Sequence, residues 1–249
     1  MITVMTIAGF DPSAGAGVLA DVRTISAFGC YGVAAVTSIT EQNTRGVSGA
    51  HHLGGPLVSR QIELLLEDFD VRAVKTGMLP TRECVEAVAD SLSRAGARHL
   101  VVDPVMRATS GYALIDHGGI EALVSLLFPL ASVVTPNADE AERLTDIAVK
   151  DVDSMKRAGE AILKLGPRAV LVKGGHVAGE MAIDVLVHES GFLEFSGDRI
   201  DSRSAHGTGC ALSSAIACEL GLGLAVEEAV RSAKQYVAEA IRNAPVQNG

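Results

Sequence analysis

The 249-residue chain is 48% hydrophobic and 20% charged, enough apolar material for one α/β domain spanning residues 1–249. Its net charge of -9, with no Lys/Arg cluster, argues against a nucleic-acid partner. The apolar stretches 122–135, interrupted by Pro129, and 208–226, carrying Glu219, suit a core rather than a membrane span, and the N-terminus lacks the basic region of a signal peptide, so a cytoplasmic protein is expected.

A strand expected over 2–8 runs into Gly9-Phe10-Asp11-Pro12-Ser13-Ala14-Gly15-Ala16-Gly17 and a helix over 15–28. Gly15, Gly17 and Ala20 fit a dinucleotide fingerprint, but an extra loop separates these glycines from the strand and Glu41 lies too far on to meet a ribose, so nicotinamide binding is set aside. On the helical wheel Asp21 falls between Ile25 and Phe28 on the apolar face. A carboxylate there is costly unless it is paired, so Asp21 serves either a salt bridge or a ligand at the floor of a pocket.

The next strand, over 32–40, ends in Glu41-Gln42-Asn43-Thr44. Neighbouring side-chain amides suit a heteroaromatic ring with donors and acceptors, and equally an ordinary turn. A helix over 56–67 and a strand over 73–76 lead to Lys75-Thr76-Gly77-Met78-Leu79-Pro80, where Met78 either packs on a ring or fills core. After a helix over 81–94, the strand over 99–103 ends at Asp103, which either meets a metal and its water shell or caps a turn. A helix over 120–127 and a strand over 132–135 precede Thr135-Pro136-Asn137-Ala138-Asp139-Glu140, which opens a helix over 138–144; Asn137 is a good N-cap and the acidic first turn suits the dipole. A helix over 154–165 and a strand over 169–173 end in Lys173-Gly174-Gly175-His176, whose glycines let backbone approach a phosphate or nucleobase closely. A strand over 181–187 and helices over 208–220 and 226–242 complete the chain. Apolar strands alternating with helices predict a mostly parallel sheet covered on both faces, with ligands beyond the carboxyl ends of the strands.

The most informative run is His206-Gly207-Thr208-Gly209-Cys210, feeding directly into a helix. Such a junction leaves backbone N–H groups unpaired where the macrodipole favours negative charge, and the same field is expected to lower the pKa of Cys210. The other cysteines, Cys30, Cys84 and Cys218, have no zinc-type spacing and are expected in the core. Lys234 lies at the edge of the apolar stripe of the last helix, placed to snorkel to solvent or to reach back towards the anion hole.

Taken together and in order, Ala8-Gly9, Asp11-Pro12-Ser13, Gly15-Ala16-Gly17, Ala20-Asp21, Gln42-Asn43-Thr44, Lys75-Thr76-Gly77-Met78-Leu79, Asp103-Pro104-Val105-Met106, Thr135-Pro136-Asn137 with Glu140, Lys173-Gly174-Gly175-His176 and His206-Gly207-Thr208-Gly209-Cys210 make the chain resemble the hydroxymethylpyrimidine/phosphomethylpyrimidine kinases of thiamine biosynthesis, within the ribokinase superfamily. The resemblance runs to about residue 242. It implies a three-layer α/β/α sandwich with a mostly parallel central sheet. It implies ATP and Mg²⁺, and successive phosphorylation of 4-amino-5-hydroxymethyl-2-methylpyrimidine and of its monophosphate. Gly9, Asp21, Gln42 and Met78 would line the pyrimidine pocket. Asn137, Lys173, Gly175 and His176 would meet the nucleotide, and Glu140 with Asp103 the metal. Gly207, Thr208 and Gly209 would form the anion hole, with Cys210 as the acid–base group; beside the resemblance, the place of Lys234 on its helix suits either balancing charge there or tuning Cys210. The resemblance also implies a homodimer acting on a small molecule. The nearest alternative is a pyridoxal kinase, or a dual pyridoxal/pyrimidine kinase, of the same superfamily. No P-loop or protein-kinase motif is present.

Overall fold

A computed structural model describes residues 1–175, 177, 181–200 and 207–243. Nine strands form one sheet in the order β3-β2-β1-β4-β5-β6-β7-β8-β9. They are β1 (Thr3–Phe10), β2 (Tyr31–Asn43), β3 (Gly46–His52), β4 (Val71–Thr76), β5 (Leu100–Val102), β6 (Val133–Val134), β7 (Ala169–Val172), β8 (Met181–His188) and β9 (Gly191–Asp198). The central run from β2 to β7 is parallel. Antiparallel pairs close it at both edges, β3 on β2 and β8–β9 on β7.

The helices are α1 (Gly17–Ala27), α2 (Gly55–Asp68), α3 (Arg82–Arg94), α4 (His117–Ala122), α5 (Ala138–Thr145), α6 (Val152–Leu163), α7 (Thr208–Leu222) and α8 (Val226–Arg242). The sandwich follows from period-two alternation in fully apolar strands. In β7, Val170 and Val172 face a core that includes Val58 of α2, Val88 of α3 and Ile162 of α6, while Ala169 and Leu171 face Ile25 of α1, Ile216 of α7 and Val230 of α8. The same split divides Leu100 and Val102 from Val101 in β5. Cys30, Cys84 and Cys218 are buried, as expected for core thiols. Among the described residues no helix is long and apolar enough to cross a membrane.

Two strands have no counterpart in the hydrophobic pattern. The sequence of β3, Gly-Val-Ser-Gly-Ala-His-His, is small and polar because it is an edge, and β9 exposes Phe192 and Leu193 and buries Phe195 alone of its large apolar residues. Pairing with β3 also carries β2 past Thr40 to Asn43, so Gln42 and Asn43 sit on a hairpin, where the Asn43 side chain accepts the Arg45 N–H in an Asx turn. The helix expected over 120–127 starts earlier, because Asp116 caps it through the Gly119 N–H, and continues as a π-helical turn (Leu123–Leu127) and a short 3-10 turn containing Pro129.

The chain runs outward from β1 to β2 and β3, then returns to place β4 on the other side of β1. Strand order therefore reverses between β1 and β4, and a crevice opens beyond their carboxyl ends. Phe128, just after the π-helical turn, is wholly buried in the core that also holds Val88 of α3. Phe128→Ala is expected to lower the unfolding free energy by about 3–5 kcal/mol, read from urea denaturation.

Candidate active site

A basin of about 1530 Å³ opens at this reversal and collects residues from most of the loops following the parallel strands. Its first wall is the loop after β1. Asp11 is 3% exposed, and its carboxylate accepts hydrogen bonds from the Ser13 N–H (2.8 Å), the Ser13 hydroxyl (2.7 Å), the Ala16 N–H (2.9 Å) and the Gln42 side-chain amide (3.2 Å). Gln42 in turn accepts from the Thr40 hydroxyl at 3.2 Å. The orientation of this amide is thus set from both ends. Met78 is buried against Gly9: a side-chain carbon on Gly9 would lie 2.9 Å from the methionine sulfur. Gly9, Gln42 and Met78 all line the basin, as expected.

Asp21 does not line it. Its carboxylate, fully buried, accepts from the Thr6 hydroxyl (2.6 Å), the Lys75 ammonium (2.8 Å) and the Ser214 hydroxyl (2.9 Å). Of the two roles open to it in the sequence, it takes the salt bridge. Lys75 itself reaches the basin floor. Asp11 and Lys75 also line the basin, and sequence reasoning gave neither a place in it. Asp11 carries a local signal, an aspartate two residues before a serine in a proline-containing loop, whereas Lys75 carries none, because its partner lies 54 positions away.

The second wall comes from β5, β6 and β7. The Asp103 carboxylate pairs with the Lys173 ammonium at 2.9 Å and accepts from the Thr135 hydroxyl at 3.3 Å. Asn137 and Glu140 form the capping box of α5: the Asn137 side chain accepts the Glu140 N–H at 2.9 Å, and the Glu140 carboxylate accepts the Asn137 N–H at 2.7 Å. Burial, with Asp103 nearby, pushes the Glu140 carboxyl up to about 7 against the pull of Lys173 and of backbone N–H groups. Two carboxylates facing one buried space are a hard oxygen set of the kind that holds a magnesium ion together with phosphates and water. Gly175 lines the basin, and its carbonyl accepts from Arg199 at 2.8 Å. His176 lies outside the described residues.

The start of α7 forms the third wall. Gly207 (φ 81°) is its N-cap, with no side-chain capping bond, and Gly207, Thr208, Gly209 and Cys210 all line the basin. A side-chain carbon on Gly207 would lie 1.8 Å from the Gly15 carbonyl oxygen, and one on Gly209 would lie 3.3 Å from the Lys173 nitrogen. The glycines therefore bring bare backbone against the first loop and against a lysine, at a helix start whose dipole favours an anion.

Two expectations are corrected here. Burial raises the Cys210 pKa, opposed by Lys75 and a hydrogen bond from the Gly17 N–H, and reinforced by Asp21 and Asp103. The helix start does not offset the loss of water, so in the free protein the group is a thiol. Lys234 does not reach Cys210. Its ammonium is held by Asp184 and by the Ala182 carbonyl (3.1 Å), while the other Asp184 oxygen accepts the Gly174 N–H at 2.9 Å. Lys234 therefore braces the glycine loop after β7. The reason is that β8 folds back antiparallel on β7 and brings Asp184 between the two.

A family model described as phosphomethylpyrimidine kinase matches residues 11–249. A hydroxymethylpyrimidine/phosphomethylpyrimidine kinase of Rhizobium meliloti is 47% identical over 238 residues, covering 95% of this chain and 89% of that one. The crystal structure of phosphomethylpyrimidine kinase from Clostridium difficile matches with a TM-score of 0.86 at 45% identity, covering 97% of this chain and 100% of that one. The pyridoxal kinase from Staphylococcus aureus, solved with AMP-PCP and pyridoxal, matches with a TM-score of 0.90 at 33% identity, covering 100% of this chain and 91% of that one. The chain spans about half the length of the bifunctional thiamine biosynthesis proteins that it also matches.

Glu140 generates a prediction. A carboxyl whose folded-state pKa lies above its ordinary value of 4.5 holds its proton more tightly when folded. Its stabilisation is complete below that value and is lost as pH rises through about 7. The urea midpoint is expected to fall across this window in the native protein, and less steeply in Glu140→Gln. An unchanged slope in the variant would contradict the assignment.

Proposed function

The chain belongs to the phosphomethylpyrimidine kinase family, a family of phosphotransferases, and we propose that its basin seats ATP on the Lys173 side and a pyrimidine alcohol on the Gln42 side. The protein is a hydroxymethylpyrimidine/phosphomethylpyrimidine kinase of thiamine biosynthesis. It transfers the γ-phosphoryl group of ATP to the hydroxymethyl oxygen of 4-amino-5-hydroxymethyl-2-methylpyrimidine, and then to the phosphate of the monophosphate formed. The observation that carries the residue assignments is the uncapped start of α7, opening into the same basin as Gln42 and Met78. The likeness to pyridoxal kinases supports pyridoxal as a second acceptor, since it too carries a ring-borne hydroxymethyl group; the higher identity to pyrimidine kinases supports the pyrimidine as the main one.

Phosphoryl transfer asks a protein mainly for positioning and for stabilisation of spread negative charge. In our assignment Gln42, locked by Asp11 and Thr40, hydrogen-bonds the ring, and Met78 packs on its face. The N–H groups at 207–210 hold the transferring phosphoryl group. Lys173 and Asn137 meet the nucleotide, along with the backbone at Gly175. Glu140 and Asp103 would hold Mg²⁺, which supplies charge neutralisation on the phosphates when bound. Cys210 takes the hydroxyl proton as its thiolate, the minor form at neutral pH, in a late transfer suited to a loose transition state. We propose one kinase domain over residues 1–249 and a cytoplasmic homodimer.

ADP release, coupled and measured with the pyrimidine alcohol, its monophosphate and pyridoxal, tests the substrate assignment. Release with pyridoxal alone would overturn it. Cys210→Ala is expected to lower kcat by about 10²–10⁴, with wild-type kcat removing the cysteine from catalysis. Gln42→Ala should raise KM for the pyrimidine more than KM for ATP, and equal effects would contradict its place on the ring.

A further inference from the structure

Beneath the cradle lies an ion pair with no access to water: Lys75 and Asp21 both have fully buried side chains, 2.8 Å apart. Such a pair is a poor device for stability, because desolvating both charges offsets their attraction, and apolar residues of similar size do as well or better. Its surroundings point to a different use. Asp21, on α1, is tied to β1 by the Thr6 hydroxyl and to α7 by the Ser214 hydroxyl. Among the described residues it is also the single hydrogen-bond partner of the Lys75 ammonium, which carries three donors. The rest of that ammonium meets the basin floor: a side-chain carbon on Gly77 would lie 2.7 Å from the nitrogen, so only glycine keeps the space open.

Cys210 stands in the same wall. Ser214, which grips Asp21, is one helical turn beyond Cys210, on the same face of α7. The charged groups that bear on the thiol are Lys75 from β4, Asp21 from α1 and Asp103 from the end of β5, with the Gly17 N–H at the start of α1. Lys75 is the cation of that set. Burial works against its charge, but Asp21, Cys210 and Asp103 together raise its pKa, so the ammonium persists.

We propose that Lys75, fixed by Asp21, is a positioning residue for phosphoryl transfer, acting through Cys210: its ammonium stabilises the thiolate that faces the acceptor hydroxyl. The inference rests on the assignment of Cys210 as the proton acceptor. In the step, the thiolate takes the hydroxyl proton and becomes the thiol, the hydroxyl oxygen forms its bond to the γ-phosphorus, and the bond from that phosphorus to the bridging oxygen breaks, with ADP leaving on the electron pair. The thiol then returns its proton to solvent, and Lys75 keeps its own throughout.

Lys75→Met alone strands a buried carboxylate and risks unfolding, so the decisive variant is the double change Asp21→Asn with Lys75→Met, which removes both charges at similar volume. The expected result is a urea midpoint close to wild type, kcat lower by about 10²-fold with both KM values within about threefold, and a Cys210 alkylation profile with iodoacetamide moved to higher pH, because the loss of the Lys75 charge outweighs the loss of the opposing Asp21 charge. The milder Ser214→Ala releases one oxygen of Asp21 to bind Lys75 more closely. It should lower kcat several-fold and move the alkylation profile the same way. A folded double variant with kcat within about twofold of wild type, or an unmoved alkylation profile in either variant, would overturn the proposal. Cys210→Ala separates the two assignments. If it keeps full kcat, the cysteine assignment fails; if it is impaired while the double variant is not, the lysine proposal alone fails.

Discussion

The site depends on backbone touching backbone. Gly207 stacks on the carbonyl of Gly15, and Gly17 (φ 60°) stacks on the carbonyl of Gly9, where a side-chain carbon would lie 2.2 Å from the oxygen. These contacts draw the starts of α1 and α7 together, with the Gly17 N–H directed at the Cys210 sulfur. Neither start has a side-chain cap. By contrast α3, α5 and α6 are capped by Thr81, Asn137 and Asp151. Of the helix starts that line the basin, that of α5 is closed by its capping box, whereas those of α1 and α7 have no side-chain cap, and the positive end of the α7 dipole is what a phosphoryl group can use.

Lysine–aspartate pairs surround this point in three places: Lys75 with Asp21, Lys173 with Asp103, and Lys234 with Asp184. Each ties together elements far apart in sequence. Pairing keeps each lysine in one position without cancelling its field nearby, so a chain of net charge -9 still presents a local surface suited to polyphosphate. The carboxylates are equally constrained. Glu140, with no ion pair among the described residues, shows the cost of desolvation in its raised pKa despite the pull of Lys173.

The layers of the fold were legible because its central strands are apolar on both faces and its helices carry clear stripes; α8 has the bounds that its pattern predicts, Val226–Arg242. The edge strands were not, since β3 and β9 owe their conformation to a paired neighbour rather than to burial. Within the site, glycine runs and strand-end amides stood out as local signals. Asp21 showed itself as a carboxylate on an apolar stripe, but its partner could not be read from the chain. Lys75 looks like any strand-end lysine until the sheet puts β4 beside β1. The expected pKa shift of Cys210 and the expected reach of Lys234 went astray for a shared reason: each depends on what surrounds it, desolvation in one case and an antiparallel return of β8 in the other.

The bond between Ser214 and Asp21 joins positions 193 apart, and α7 packs on α1, β1 and β4, all formed from the first third of the chain. Contacts of such long range are slow to form, because the loop they close must lose its freedom first. On the ribosome, where a chain of this length takes roughly tens of seconds to emerge, the early strands must wait with their floor open. The site therefore acquires its chemistry only after α7 has been made and has docked on those early elements.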